Sequence, residues 1–197
     1  MYTVDGDSLT LTVPADAAAG PTFARFMMTD LEGVGEVEDY AVMVGGVDFG
    51  DAPDSYGDAS HTITALTMKT IDADPASQYS PDATGDDTTG IDDEDGIGLA
   101  KFVTGKSSTV RVTATAAGKL DAWIDWNHDG TFGEDELVAD ALSVRDGTIS
   151  FKVAVPENNI LGTTFARFRV SEEGSLDPTG RALSGEVEDY IITVAGK

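Results

Sequence analysis

The segment Asp125-Trp126-Asn127-His128-Asp129-Gly130-Thr131-Phe132-Gly133-Glu134-Asp135-Glu136 puts an oxygen-bearing side chain at every second position and then a glycine. It satisfies the calcium-loop spacing at every defined position. Side-chain oxygens at the first, third and fifth positions converge on one ion, and the glycine at the sixth permits a sharp turn. A backbone carbonyl at the seventh and a bidentate glutamate at the twelfth complete a shell of roughly six to eight oxygens. The ligands expected are Asp125, Asn127, Asp129, the carbonyl of Thr131, and Glu136. The entering segment reads as a strand rather than a helix, so Asp135 or Glu134 could turn inward in place of Glu136. The competing reading is an Asp/Asn-rich hairpin whose side chains bond their own backbone. Calcium is preferred, because carboxylates this close repel one another unless a cation lies among them. Trp126 and His128 alternate with the ligands and should point away.

A second acidic run, Gly85 to Gly96, holds six carboxylates in twelve residues, among them Asp86, Asp87, Asp92, Asp93 and Asp95. It could wrap one or two ions, together with Asp48, Asp51 and Asp54, or be a solvated acidic loop. Its spacing fits no single loop formula. Catalysis finds little support. His61 and His128 stand in no nucleophile motif, and nothing marks one carboxylate pair as the acid and base of a glycosidase.

Composition narrows the partners. The 197 residues carry 36 acidic and 12 basic side chains, a formal charge of -24, no cysteine and two histidines. Disulfides and thiolate or zinc-finger sites are excluded, so a bound metal is expected to be held by oxygen. The negative field would repel nucleic acid and anionic membrane surfaces. No apolar run approaches the roughly 20 residues that span a bilayer. The acids divide into 25 Asp and 11 Glu, and Asp favours turns and oxygen-rich loops over helices. A halophilic surface is the bland reading of the same excess.

The elements that position these residues read as strands. Val110, Val112, Ala114 and Ala116 alternate with polar neighbours, as do Ile149, Phe151, Val153 and Val155. Further strands are expected at His61 to Lys69, Leu120 to Trp126, Leu137 to Val144, Thr164 to Val170 and Val187 to Val194. No segment shows a helical stripe. The fold class is all-β, an antiparallel β-sandwich of Ig-like or jelly-roll-like type, with about seven strands.

The chain also repeats itself. Thr22-Phe23-Ala24-Arg25-Phe26 returns as Thr164-Phe165-Ala166-Arg167-Phe168, 142 residues on, and Gly35-Glu36-Val37-Glu38-Asp39-Tyr40 returns 150 residues on as Gly185-Glu186-Val187-Glu188-Asp189-Tyr190. Residues 1 to 47 thus read as the three-strand end of a preceding repeat, and residues 48 to 197 as a complete one. The repeated Arg167 could pair across strands with Glu186, Glu188 or Asp189, or those acids could hold an ion. Parity leaves both open.

In order, Asp48 to Gly57, the Asp86 to Gly96 run, Trp123-Ile124-Asp125-Trp126-Asn127 and Gly185 to Tyr190 resemble the GEVED domain family. The resemblance implies a secreted or cell-surface bacterial or archaeal protein built of many domains, and it transfers no catalytic residue. The expected function is a calcium-stabilised structural repeat of an extracellular stalk, adhesin or filament, not an enzyme. Its partners would be neighbouring repeats or identical subunits, with no nucleic acid and no membrane insertion. The alternative is a carbohydrate- or surface-binding module appended to a secreted enzyme, with Trp123, Trp126 or tyrosines stacking on a surface glycan.

Overall fold

The computed structural model describes residues 2–5, 8–11, 20–29, 35–71, 73–74, 76–85 and 93–197. They fall into two compact units, Met1–Gly45 and Gly46–Lys197. In the first, β1 (Tyr2–Asp5) pairs antiparallel with β2 (Ser8–Leu11), and β3 (Gly20–Thr29) with β4 (Gly35–Val44). Among the described residues these are four strands.

The second unit holds β5 (Val47–Phe49), β6 (Ala59–Thr62), β7 (Ile97–Leu99), β8 (Phe102–Val103), β9 (Ser107–Ala114) and β10 (Gly118–Ile124). It continues with β11 (Leu137–Val144), β12 (Gly147–Ala154), β13 (Gly162–Ser171), β14 (Gly180–Ala182) and β15 (Glu186–Ala195). A five-stranded sheet runs β11-β10-β13-β15-β8, and three-stranded sheets run β12-β9-β7 and β14-β6-β5. The all-β, sandwich-like expectation is met. Among the described residues the count of strands exceeds the expected seven because β5, β7, β8 and β14 are only two or three residues long, below the length at which alternation can be read.

Strand β9 shows the alternation in its plainest form. Ser108, Val110, Val112 and Ala114 are buried while the residues between them are exposed or half-buried. Val110, Val112 and Ala114 meet Leu120, Ala122, Ile124, Phe168 and Val170 from the five-stranded sheet in one apolar core. Interiors this densely packed charge for every lost methylene, and a buried Phe such as Phe168 is worth about 3 to 5 kcal/mol against alanine. The opposite face of the five-stranded sheet is covered by loops and the β14-β6-β5 sheet, with a smaller cluster of Ala52, Tyr56, Trp123 and Phe132.

The expected strand from His61 to Lys69 ends instead at Thr62. Beyond it Leu66, Thr67 and Met68 are buried in succession in a stretch that joins no sheet. Side chains hold this stretch in place. Thr67 N–H donates to Thr115 Oγ1 at 2.8 Å, and Lys69 takes a φ of +81°. No helix among the described residues is long and apolar enough to cross a membrane.

Candidate metal centre

Parity along β10 decides where the loop begins. Leu120, Ala122, Ile124 and, just past the strand, Trp126 point into the main core. Asp121, Trp123 and Asp125 therefore face the loop layer. The backbone of Asp125 is fixed to β13: its N–H donates to the Phe165 carbonyl at 3.1 Å, and its carbonyl accepts Thr164 Oγ1 at 2.8 Å. The side chain is fully buried. Its Oδ2 accepts the Tyr56 hydroxyl at 2.7 Å and the Gly130 N–H at 3.1 Å, while Oδ1 has no hydrogen-bond partner.

The chain then reverses through His128 at φ +56° and Gly130 at φ +79°. Asn127 Oδ1 accepts the Asp129 N–H at 2.7 Å, and Asn127 Nδ2 donates to Asp129 Oδ2 at 3.0 Å. Asp129 Oδ1 accepts both the hydroxyl and the N–H of Thr131, at 2.7 and 2.9 Å. The Thr131 hydroxyl, then Asn127, hold the Asp129 carboxyl below its usual range. Asn127 and Thr131 are exposed. The side-chain-to-backbone turns of the hairpin reading are thus present, yet they leave the buried Asp125 Oδ1 unaccounted for.

A short 3-10 turn, Glu134–Glu136, closes the loop. It leaves Glu134 and Asp135 exposed and turns Glu136 inward, to 3% exposure. Glu136 Oε2 accepts the Gly133 N–H at 2.8 Å, and Oε1 accepts the N–H groups of Trp126 at 2.9 Å and Asn127 at 3.3 Å. One carboxylate thereby ties together both ends of the loop. Burial raises its pKa.

One ligand oxygen each from Asp125, Asp129 and Glu136 lies within 4.8 Å of the others. Calcium–oxygen distances of about 2.3–2.6 Å put two ligands of one ion no more than about 5 Å apart, so the three could share an ion. All three are hard oxygen donors, as calcium prefers. His128 is not in this convergent set.

Tyr56 has no position in the loop formula, yet it is the neutral donor that orients Asp125. It follows Pro53 on a 3-10 turn, Asp54–Tyr56, and packs on Phe132 and Phe165 with ring centroids 4.7 and 5.2 Å away. Burial, then the Asp125 carboxylate, raises its pKa. The only sequence signal for Tyr56 is its place in the Asp48 to Gly57 segment.

Of the second acidic run, Asp86, Asp87 and Asp92 lie outside the described residues. Asp95 accepts the N–H and hydroxyl of Thr70 at 3.1 and 2.9 Å, which locks two loops together. Asp93 is buried. Among the acids considered with that run, Asp48 and Asp51 are buried and Asp54 is exposed. Asp48 Oδ2 accepts the Val187 N–H at 2.6 Å, and Asp51 Oδ2 accepts the Gly85 N–H at 2.7 Å.

The register of β13 with β15 settles the partner of Arg167. It stands opposite Asp189, and the two make a fork-to-fork pair, Nε to Oδ1 at 2.7 Å and Nη2 to Oδ2 at 2.8 Å, both side chains fully buried. Arg167 Nη1 also donates to the carbonyls of Gly57 and Pro178, at 3.0 and 2.9 Å, pinning the loops beside the candidate centre. Gly50 is needed here, since a Cβ at that position would come within 2.6 Å of Asp189 Oδ2. Glu186 and Glu188 alternate onto the other face and take no part.

Trp126 packs edge-on against Phe102, with centroids 5.8 Å apart, and Trp123 is likewise buried. Neither ring offers a flat exposed face for a sugar.

A search among curated proteins finds no match. Among solved structures, E. coli alpha-2-macroglobulin in its native conformation is similar at 11% identity and a TM-score of 0.31, over 91% of this chain and 12% of that one, a likeness too low to carry an argument. The family model of the GEVED domain matches residues 119–193, a span that contains both the Asp125 to Glu136 loop and the Gly185 to Tyr190 strand. Over residues 119–193 the chain is similar to the GEVED domain.

Proposed function

We propose that the chain is a calcium-stabilised structural repeat of an extracellular stalk, adhesin or filament protein, without catalytic activity. The observation that carries this reading is the buried Asp125 Oδ1, which no hydrogen bond satisfies, in a residue whose carboxylate lies within 4.8 Å of those of Asp129 and Glu136. A buried charged oxygen left without a partner is costly, and a divalent ion at the convergence point would relieve both the desolvation and the repulsion. The tandem match of residues 1–47 to the end of the following unit supports a repeat, and the burial of Trp123 and Trp126 speaks against these two rings as glycan-stacking platforms.

Calcium would act through mass action. An ion that binds only the folded loop at 100 times its dissociation constant adds about 2.7 kcal/mol, which for a chain of this size raises the midpoint by about 5 to 10 °C. Thermal melts in calcium, in magnesium and in EGTA at matched ionic strength test this. Calcium is expected to raise the wild-type midpoint, with a smaller rise in Asp125→Asn. Equal midpoints in calcium and EGTA, or equal rises in wild type and Asp125→Asn, would sink the loop as a calcium site.

A further inference from the structure

The signature strand and the candidate metal loop meet at one short turn. Tyr56 ends the 3-10 turn Asp54–Tyr56, whose backbone closes on itself: Tyr56 N–H donates to the Pro53 carbonyl at 2.9 Å, and Gly57 N–H to the Asp54 carbonyl at 3.0 Å. Asp189 on β15 holds the entry to this turn, its Oδ2 accepting the Ala52 N–H at 2.9 Å. Arg167 on β13 holds the exit, with Nη1 donating to the carbonyls of Tyr56 at 3.3 Å and Gly57 at 3.0 Å. Since Arg167 and Asp189 are themselves joined by two short bonds with both side chains fully buried, the pair fixes both ends of the turn together.

On its other side the turn touches the loop. The Tyr56 ring packs on Phe132, the eighth loop residue, at 4.7 Å between centroids, and the Arg167 guanidinium carbon lies 5.4 Å from the centre of that same ring. Ser55 Oγ would meet a Cβ placed on Gly130 at 3.0 Å. The Tyr56 hydroxyl donates to Asp125 Oδ2 at 2.7 Å. This last bond has a chemical consequence. With Oδ2 held by Tyr56 and by the Gly130 N–H, the Asp125 carboxylate cannot turn about its Cβ–Cγ bond without losing both donors, so Oδ1, which has no hydrogen bond, keeps one direction.

We propose that Tyr56, Arg167 and Asp189 are positioning residues of the Asp125 to Glu136 centre, so that Asp189 of the Gly185 to Tyr190 signature serves calcium binding through the Asp54–Tyr56 turn. This role rests on the calcium reading of the loop. None of the three is a ligand: Tyr56 acts through Asp125, and Asp189 acts through Arg167 and the backbone from Ala52 to Gly57. Partners that orient a ligand in this way change metal affinity about 10- to 100-fold when they are removed.

Calcium titration by calorimetry of wild type, Tyr56→Phe and Phe168→Leu tests the Tyr56 arm. Tyr56→Phe keeps the ring and loses only the hydroxyl, and its calcium affinity is expected to fall about 10- to 100-fold. Phe168→Leu loosens the main core, to which Phe168 belongs, and is expected to keep the wild-type affinity. An unchanged affinity in Tyr56→Phe overturns the proposal, and so does an equal fall in Phe168→Leu, which would make general loosening the cause. Because Asp189→Asn could fail to fold, the Asp189 arm is tested in the wild type by nuclear magnetic resonance. Added calcium is expected to move the Ala52 N–H and Arg167 Nε–H signals together with the Gly130 and Gly133 amides, and to leave Val110 and Val112 of β9 in place. Loop amides that move while Ala52 and Arg167 stay still would overturn the reach to Asp189. If wild type neither binds calcium nor shifts any of these signals, the calcium reading of the loop fails and this role fails with it.

Discussion

Arg167 with Asp189 and Arg25 with Asp39 are the same residue pair at the same cross-strand register, one fully buried and one on the surface. Their energetic weight should differ accordingly. Asp189→Asn leaves the Arg167 guanidinium buried without its counter-charge, and such a loss costs about 3 to 5 kcal/mol. Asp39→Asn removes an ion pair already shared with water and salt, which contributes little. Urea unfolding followed by circular dichroism should show a large fall in midpoint for the first and none for the second; equal effects would refute the burial argument. His61 offers a second test. Its Nδ1–H donates to the Ser184 carbonyl at 2.7 Å and its Nε2 accepts Arg169 Nε–H at 3.0 Å. Burial, then the Arg169 charge, lowers its pKa to about 3 from an ordinary 6.5. The folded state therefore binds fewer protons than the unfolded one between those values. His61's contribution is complete above pH 6.5 and is lost as the pH falls towards 3, by up to about 1.4 kcal/mol per pH unit. His61→Gln keeps a donor and an acceptor and has no proton to gain. The gap in stability between wild type and this variant should narrow from pH 7 to pH 4, and a constant gap would mean that His61 does not titrate this way.

At the scale of elements, the end of β10 places Asp125, a left-handed turn makes the reversal and a 3-10 turn brings in Glu136. Gly130 is the hinge of that sequence. Its φ of +79° lies where a side chain is strained, and a Cβ would also meet Ser55 Oγ at 3.0 Å. Gly130→Ala should cost about 1 to 2 kcal/mol, and Gly130→Asn less, because asparagine enters the left-handed region more readily. Urea midpoints in calcium check the order, and an alanine variant as stable as wild type would show that the turn relaxes freely. The 3-10 turn explains why Glu136 rather than Glu134 or Asp135 comes inward. A regular extension of β11 would have aimed its side chains alternately, whereas the tight turn returns the Glu136 carboxylate to the N–H groups of Gly133, Trp126 and Asn127.

The two compact units differ in how they bury apolar surface. Residues 46–197 enclose a core of more than a dozen buried apolar side chains. In residues 1–45, Phe23, Phe26, Met27, Met28, Val37 and Tyr40 are exposed, although Phe26 matches the fully buried Phe168 by sequence. A fragment of residues 46–197 should therefore melt at the midpoint of the full chain and bind less of an apolar-surface dye, as large exposed apolar patches attract such probes. A marked drop in the fragment's midpoint would show that the second unit depends on the first.

Strand periodicity, the all-β class, the tandem match and the Asp125 to Glu136 spacing were legible in the amino-acid order, because each is a local pattern set by side-chain alternation or by one tight turn. The short strands β7, β8 and β14, the end of β6 at Thr62 and the role of Tyr56 were not, since they depend on what packs against them. The same limit applies to the acids. Nothing local distinguishes Asp189 from Glu186 and Glu188 as the partner of Arg167. Only the sheet register, together with contacts such as Asp189 to Ala52 and Glu186 to Met68, 137 and 118 residues apart in the chain, assigns one acid to an ion pair and buries the other two on the opposite face.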